Sequence, residues 1–118
     1  MTRAGEQRFR VTGIVSESET GRPLENMIVR AFDRDLFFDD KLGFATTDAD
    51  GRFEIDYHKA DFRDAWESRP DLYLRVYDPA GSVLLHETTD AIRWNASERE
   101  DFRIRVSLRA LDPNATRA

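Results

Sequence analysis

Phe53, Ile55 and Tyr57 alternate with Arg52, Glu54 and Asp56, and this period of two is that of a strand with one buried face. No helix can bury that pattern on one side. Thr47-Asp48-Ala49-Asp50-Gly51 comes immediately before it. Asp caps its own backbone and Gly enters positive φ without cost, so this run reverses the chain. The spacing predicts a hairpin, with residues 43–47 as the partner strand. Just upstream, Asp33, Asp35, Asp39 and Asp40 surround Leu36-Phe37-Phe38. Carboxylates at that density repel one another unless they are solvated, ion-paired or holding a cation.

The same alternation recurs along the chain. Phe9, Val11, Gly13 and Val15 form a first strand, and Gly13 within it marks either a bulge or a close backbone approach. After the turn carrying Thr20-Gly21-Arg22-Pro23-Leu24, residues 27–32 are apolar on both faces, as in a strand covered on two sides. Leu72, Leu74 and Val76 alternate with Tyr73, Arg75 and Tyr77, and Pro79-Ala80-Gly81 turns the chain into a partner strand at 82–87. Phe102, Ile104, Val106 and Leu108 make the last strand, after a polar loop that holds Trp94. Phe62, Ala65 and Trp66 predict one short amphipathic helix over 61–67, ending before Pro70. The expected fold is an all-β, antiparallel sandwich of seven to eight strands with one short helix. Phe9, Val11, Phe53, Ile55, Leu72, Leu74, Val76, Phe102, Ile104 and Val106 are its expected core.

A chain of 118 residues supports one core, placed at residues 8–110, with 1–7 and 111–118 as flexible termini. Charged residues make up 35%, but eight Phe, two Trp and three Tyr supply packing that a disordered chain lacks. A net charge of −5 argues against a nucleic-acid surface. Cysteine is absent, which removes disulfides and thiolate chemistry. No apolar run approaches the ~20 residues needed to span a bilayer, and no leader pattern opens the chain, so the expectation is cytoplasmic, with signal-independent export as the alternative. Charges on the solvent faces, such as Arg52, Glu54 and Asp56 on one strand and Arg103, Arg105 and Arg109 on another, are expected to pair across strands and protect sheet edges.

The order Gly13-Ile14-Val15, Thr20-Gly21-Arg22-Pro23-Leu24, Val29-Arg30-Ala31-Phe32-Asp33 and Thr47-Asp48-Ala49-Asp50-Gly51-Arg52-Phe53 resembles the transthyretin-like, or prealbumin-like, superfamily over residues 8–108. The resemblance extends to bacterial and nematode transthyretin-like proteins and to carboxypeptidase regulatory-like domains, and it implies a sandwich used as a binding module. Enzymes of related fold match poorly. Hydroxyisourate hydrolases need histidines, an arginine and a C-terminal Tyr-Arg-Gly-Ser, whereas this chain ends Asn-Ala-Thr-Arg-Ala. Intradiol dioxygenases hold iron with two tyrosines and two histidines, the latter close in sequence, whereas His58 and His86 are well separated. Nothing places Ser82 or Ser107 beside a histidine and an acid.

Together these readings predict a non-enzymatic binding or accessory module that engages a protein or glycan through loops at one end, for example within a secretion or injection apparatus. Leu36, Phe37 and Phe38 are the expected contact residues, since apolar side chains on a loop are costly to expose without a use. Calcium is the alternative ligand, with Asp33, Asp35, Asp39, Asp40 and Asp78 as its candidate oxygen donors, and no other cofactor is expected. A third reading, a hydrolase, requires a pocket that joins His58 or His86 to a carboxylate.

Overall fold

Seven strands form where the alternation places them: β1 (Arg8–Glu17), β2 (Ile28–Asp33), β3 (Asp40–Thr46), β4 (Arg52–His58), β5 (Leu72–Tyr77), β6 (Leu84–Glu87) and β7 (Arg99–Val106). The computed structural model describes residues 7–36, 38–61 and 69–111. A three-stranded sheet in the order β4-β1-β7 lies against a four-stranded sheet in the order β3-β2-β5-β6. All ten of the expected core side chains are buried between them. Phe9 and Tyr57, facing each other across β1 and β4, stack with ring centroids 5.1 Å apart.

Gly13 makes the close approach its position implies. A Cβ there would lie 2.5 Å from Phe53 Cζ and 2.7 Å from the Phe102 carbonyl oxygen, so the two flanking strands leave room for a hydrogen only. Thr47 ties the second turn to the first: its Oγ1 accepts from Met27 N at 2.9 Å and donates to the Leu24 carbonyl at 2.6 Å, at a buried position.

Two expectations about strand pairing are corrected. The sandwich is not purely antiparallel, because β7 runs parallel to β1 from Arg10↔Arg99 to Glu17↔Val106. Residues 43–47 and 52–57 are not hairpin partners either: β3 pairs with β2 and β4 with β1, in different sheets. The Asp48–Gly51 turn therefore carries the chain from the edge of one sheet to the edge of the other. Asp48 holds it, with Oδ1 accepting from the amides of Asp50 and Arg52, both at 2.9 Å. The second hairpin stands as expected, with β5 and β6 paired antiparallel.

The helix expected over 61–67 lies, beyond Asp61, outside the described residues, as do the termini at 1–6 and 112–118. Lys59–Asp61 forms a single 3-10 turn. On the outer face of the three-stranded sheet Arg10 Nε reaches Asp56 at 2.9 Å and Glu54 at 3.0 Å, the cross-strand pairing expected of a solvated face. Among the described residues no helix is long and apolar enough to cross a membrane.

Candidate functional site

The acidic loop and its apolar residues lie at one end of the four-stranded sheet. β2 ends at Asp33 directly opposite Leu72 at the start of β5, and Asp40 begins β3 opposite Asp33. Asp33 is buried, and one of its oxygens accepts from Asp71 N at 2.8 Å. Asp71 in turn accepts from Asn95 N at 2.9 Å, which draws the Trp94 loop to the same end. The amide of Asp35 donates to Asp39 Oδ1 at 3.0 Å, closing the loop on itself. Asp39 Oδ2 accepts the phenolic hydrogen of Tyr73.

This hydrogen bond shifts both partners. Burial, then the bond and charge of Asp39, push the Tyr73 hydroxyl well above the usual phenol value. Partial burial pulls Asp39 upward, but hydrogen bonds from Tyr73 and from the Asp35 backbone, with the charges of Arg34 and Arg75, outweigh it and hold the carboxyl below its ordinary value. At pH 7 Asp39 is an acceptor and Tyr73 a donor.

Four of the five candidate calcium donors, Asp33, Asp35, Asp39 and Asp40, are near this end. Asp78 is not among them. It follows Tyr77, whose partner on β2 is Ile28, at the opposite end of the strand from Asp33, a separation of about 17–20 Å at the rise of a strand. Its carboxylate instead caps the β5–β6 turn, accepting from Ser82 N at 2.8 Å and Val83 N at 3.0 Å. Among the described residues no group of three or more His, Cys, Asp or Glu is arranged to hold a metal ion.

Of the three expected contact residues, Leu36 and Phe38 are 92% and 80% exposed. Phe37 lies outside the described residues. Trp94, 63% exposed, joins them at this end. The histidines do not meet: His58 closes β4 in one sheet and His86 belongs to β6 in the other. Tyr73 and Tyr77 are on the outer side of β5, four residues and about 13 Å apart along the strand. Tyr57 is in the core beneath the other sheet, stacked on Phe9. The described residues therefore do not fit the iron set of two tyrosines and two histidines.

Sequence reading missed the surface that continues from this loop across the four-stranded sheet. Phe32 and Tyr73 stack with centroids 5.2 Å apart, and the Arg75 guanidinium covers both, 5.1 Å and 5.7 Å from their centres. Arg30 lies 5.1 Å over the Tyr77 ring, directly opposite Arg75 on one side and Phe44 on the other. The available signal was the outward set of β5, Tyr73, Arg75 and Tyr77, which is aromatic and cationic where a merely solvated face would be short and polar.

No protein-family model and no curated protein matches the chain. Among solved structures, it is similar to a 9R-lipoxygenase from Cyanothece PCC8801, with 32% identity over 88% of this chain and a TM-score of 0.61. The chain spans 17% of that lipoxygenase's length. A chlorocatechol 1,2-dioxygenase from Pseudomonas putida is 10% identical over 90% of this chain and 62% of its own, with a TM-score of 0.50. Another dioxygenase is 9% identical over 86% of this chain and 81% of its own, with a TM-score of 0.53. The latter two establish a shared fold.

These similarities correct the transthyretin-like assignment, and with it the carboxypeptidase regulatory-like comparison. They also overturn the reading of a non-enzymatic binding or accessory module, with its hydrolase alternative, and the expectation that the chain is not an enzyme. The structures it resembles are oxygenases. The cause of the misreading is physical. The motifs that carried the resemblance are a Gly at a close strand approach, turn residues and a buried strand, which a sandwich needs whatever protein it belongs to.

Proposed function

We propose that this chain is an oxygenase-related domain, the β-sandwich portion of a larger oxygenase. The observation that supports this most is the 32% identity maintained over 88% of the chain against a lipoxygenase of which it spans 17%. Identity at that level across nearly the whole sandwich extends beyond the core positions that fold alone requires, and the short span fits one domain of a larger enzyme. The described residues gather no metal-ligating group of three or more His, Cys, Asp or Glu. In this reading the reacting centre is therefore completed by the rest of the enzyme.

The test is oxygen consumption by native material. Protein captured from the source cells by an antibody against this chain is assayed in an oxygen electrode with a polyunsaturated lipid and with a catechol. Uptake with one of them, lost when the antibody is blocked with the free chain, is the expected result. Captured material that consumes no oxygen with either, and contains no polypeptide beyond this chain's own length, overturns the reading.

A further inference from the structure

The outer face of the three-stranded sheet changes character along its central strand. Arg10, Thr12, Ile14 and Ser16 of β1 face outward, and the register sets Thr12, Ile14 and Ser16 in rows with β4, β7 or both. The row of Thr12 is acidic on both flanks, with Glu54 and Asp101. In the next row Ile14 stands between Arg52 and Arg103, and Arg105 follows beside Ser16. Strand pairing fixes backbones only, but these side chains also line shared clefts. Ile14, Arg52 and Arg103 line one of about 540 Å³, together with Thr12, Glu54 and Asp101. Ile14, Ser16, Arg103 and Arg105 line a second of about 350 Å³. Ile14 and Arg103 belong to both, so the two clefts adjoin as one trough over β1, of the size that holds a small molecule.

The acids of this trough are engaged, whereas its cations are not. Glu54 is held by Arg10 at 3.0 Å, and Asp101 accepts from Thr12 Oγ1 at 2.8 Å. Asp48, which also lines the larger cleft, caps the amides of Asp50 and Arg52. Arg52 and Arg105 make no ion pair among the described residues. Arg103 meets Asp101 only at 3.8 Å, with the two side chains 77% and 61% exposed, a contact that contributes little.

We infer that the trough binds an alkyl carboxylate, with the carboxylate at Arg103, Arg105 and Ser16 and the alkyl chain on Ile14. Charge complementarity selects an anion: the guanidiniums offer charge-assisted hydrogen bonds in a fork that suits a carboxylate, and the Ser16 hydroxyl adds a donor. Ile14, half-buried between its flanking arginines, supplies apolar surface that a bare inorganic anion would leave in water. The acidic row at Thr12 repels an anion, which fixes the charged end beside Arg105. The site is independent of the oxygenase-related reading.

Amide NMR spectra of the 15N-labelled 118-residue chain, titrated at constant ionic strength with sodium octanoate, inorganic phosphate and octylammonium, test this. Octanoate is expected to give saturating shifts at Ile14, Ser16, Arg103 and Arg105. Phosphate should need at least tenfold higher concentration, and octylammonium should leave these amides unmoved. Arg103→Gln with Arg105→Gln should weaken octanoate at least fivefold. Arg8→Gln with Arg99→Gln, which removes the same charge from exposed positions at the other end of the face, should not. All four side chains are exposed, and unchanged spectra away from the substitutions report that both variants fold. Equal weakening in the two variants shows a response to net charge and overturns the site. Phosphate binding as tightly as octanoate contradicts the alkyl part of the proposal, and octanoate shifts centred on Leu36 and Trp94 instead contradict its location.

Discussion

Tyr73 on β5 donates its phenolic hydrogen to Asp39, so the loop that exposes Leu36 and Phe38 is fastened to the same strand that presents Arg75. The loop's position is thereby coupled to the outer face of the sheet. Tyr73→Phe removes the donor and keeps the ring that stacks on Phe32. A hydrogen bond to a charged acceptor contributes about 1.5–3 kcal/mol when well buried, and solvent near Asp39 reduces this to about 1 kcal/mol. Urea titration of the variant reads that loss, and a change within error means that the bond is not maintained in solution.

The acid limb of stability follows from the same pair. Asp39 is held below the ordinary carboxylate value. Glu100 is too: burial raises it, but the hydrogen bond and charge of Arg93, with the amide of Ser97, outweigh that. Groups depressed in the folded state stabilise it fully above their unfolded values, about pH 4, and lose that contribution as pH falls through the lower folded values. Chemical denaturation midpoints are therefore expected to be level from pH 6 to about pH 5 and to drop below pH 4. In Tyr73→Phe the drop should be shallower. An identical acid profile in parent and variant contradicts the assignment.

Phe53→Ala deletes a core ring that packs against Gly13 and is expected to cost about 3–5 kcal/mol. A urea titration that shows a loss below about 1 kcal/mol means the site is not a packed interior.

Thr47→Val keeps the volume and removes the hydroxyl that serves Met27 N and the Leu24 carbonyl. Both backbone groups are then buried without partners, and a loss of about 1–3 kcal/mol follows. Thr47→Ser, which retains the hydroxyl, should lose less, and equal losses in the two variants would point to the methyl group instead.

Gly51→Ala tests the turn that joins the two sheets. Gly51 has φ +74°, and a Cβ there would lie 2.3 Å from the Val15 carbonyl oxygen. Backbone must move to admit it, so a loss of at least about 1 kcal/mol is expected. A melting temperature unchanged by this substitution means that the turn has a different conformation.

What the sequence made legible is the property that period two encodes. Phe53, Ile55, Leu72, Leu74 and Ile104 are buried because alternate residues of a strand share a face. Strand direction and sheet membership are not in that code. The parallel pairing of β1 with β7 joins segments far apart in the chain, and the separation of β3 from β4 into different sheets follows from which neighbours each finds. The acidic loop was placed correctly, but Asp78 was assigned to it because it ends a strand, and the antiparallel register sends that strand end the other way. Arg52 and Arg103 came to flank Ile14 only once β4, β1 and β7 were seen side by side, a juxtaposition that no single stretch of sequence states.

Isotope incorporation tests the oxygenase reading most directly. Native material captured through this chain is incubated under 18O2 with a polyunsaturated lipid and with a catechol, and the products are weighed by mass spectrometry. The reading predicts oxygen-18 in the product of one of them, and no labelled product once the captured protein is removed. Products from both incubations without oxygen-18, formed by material that contains the chain intact, would contradict it.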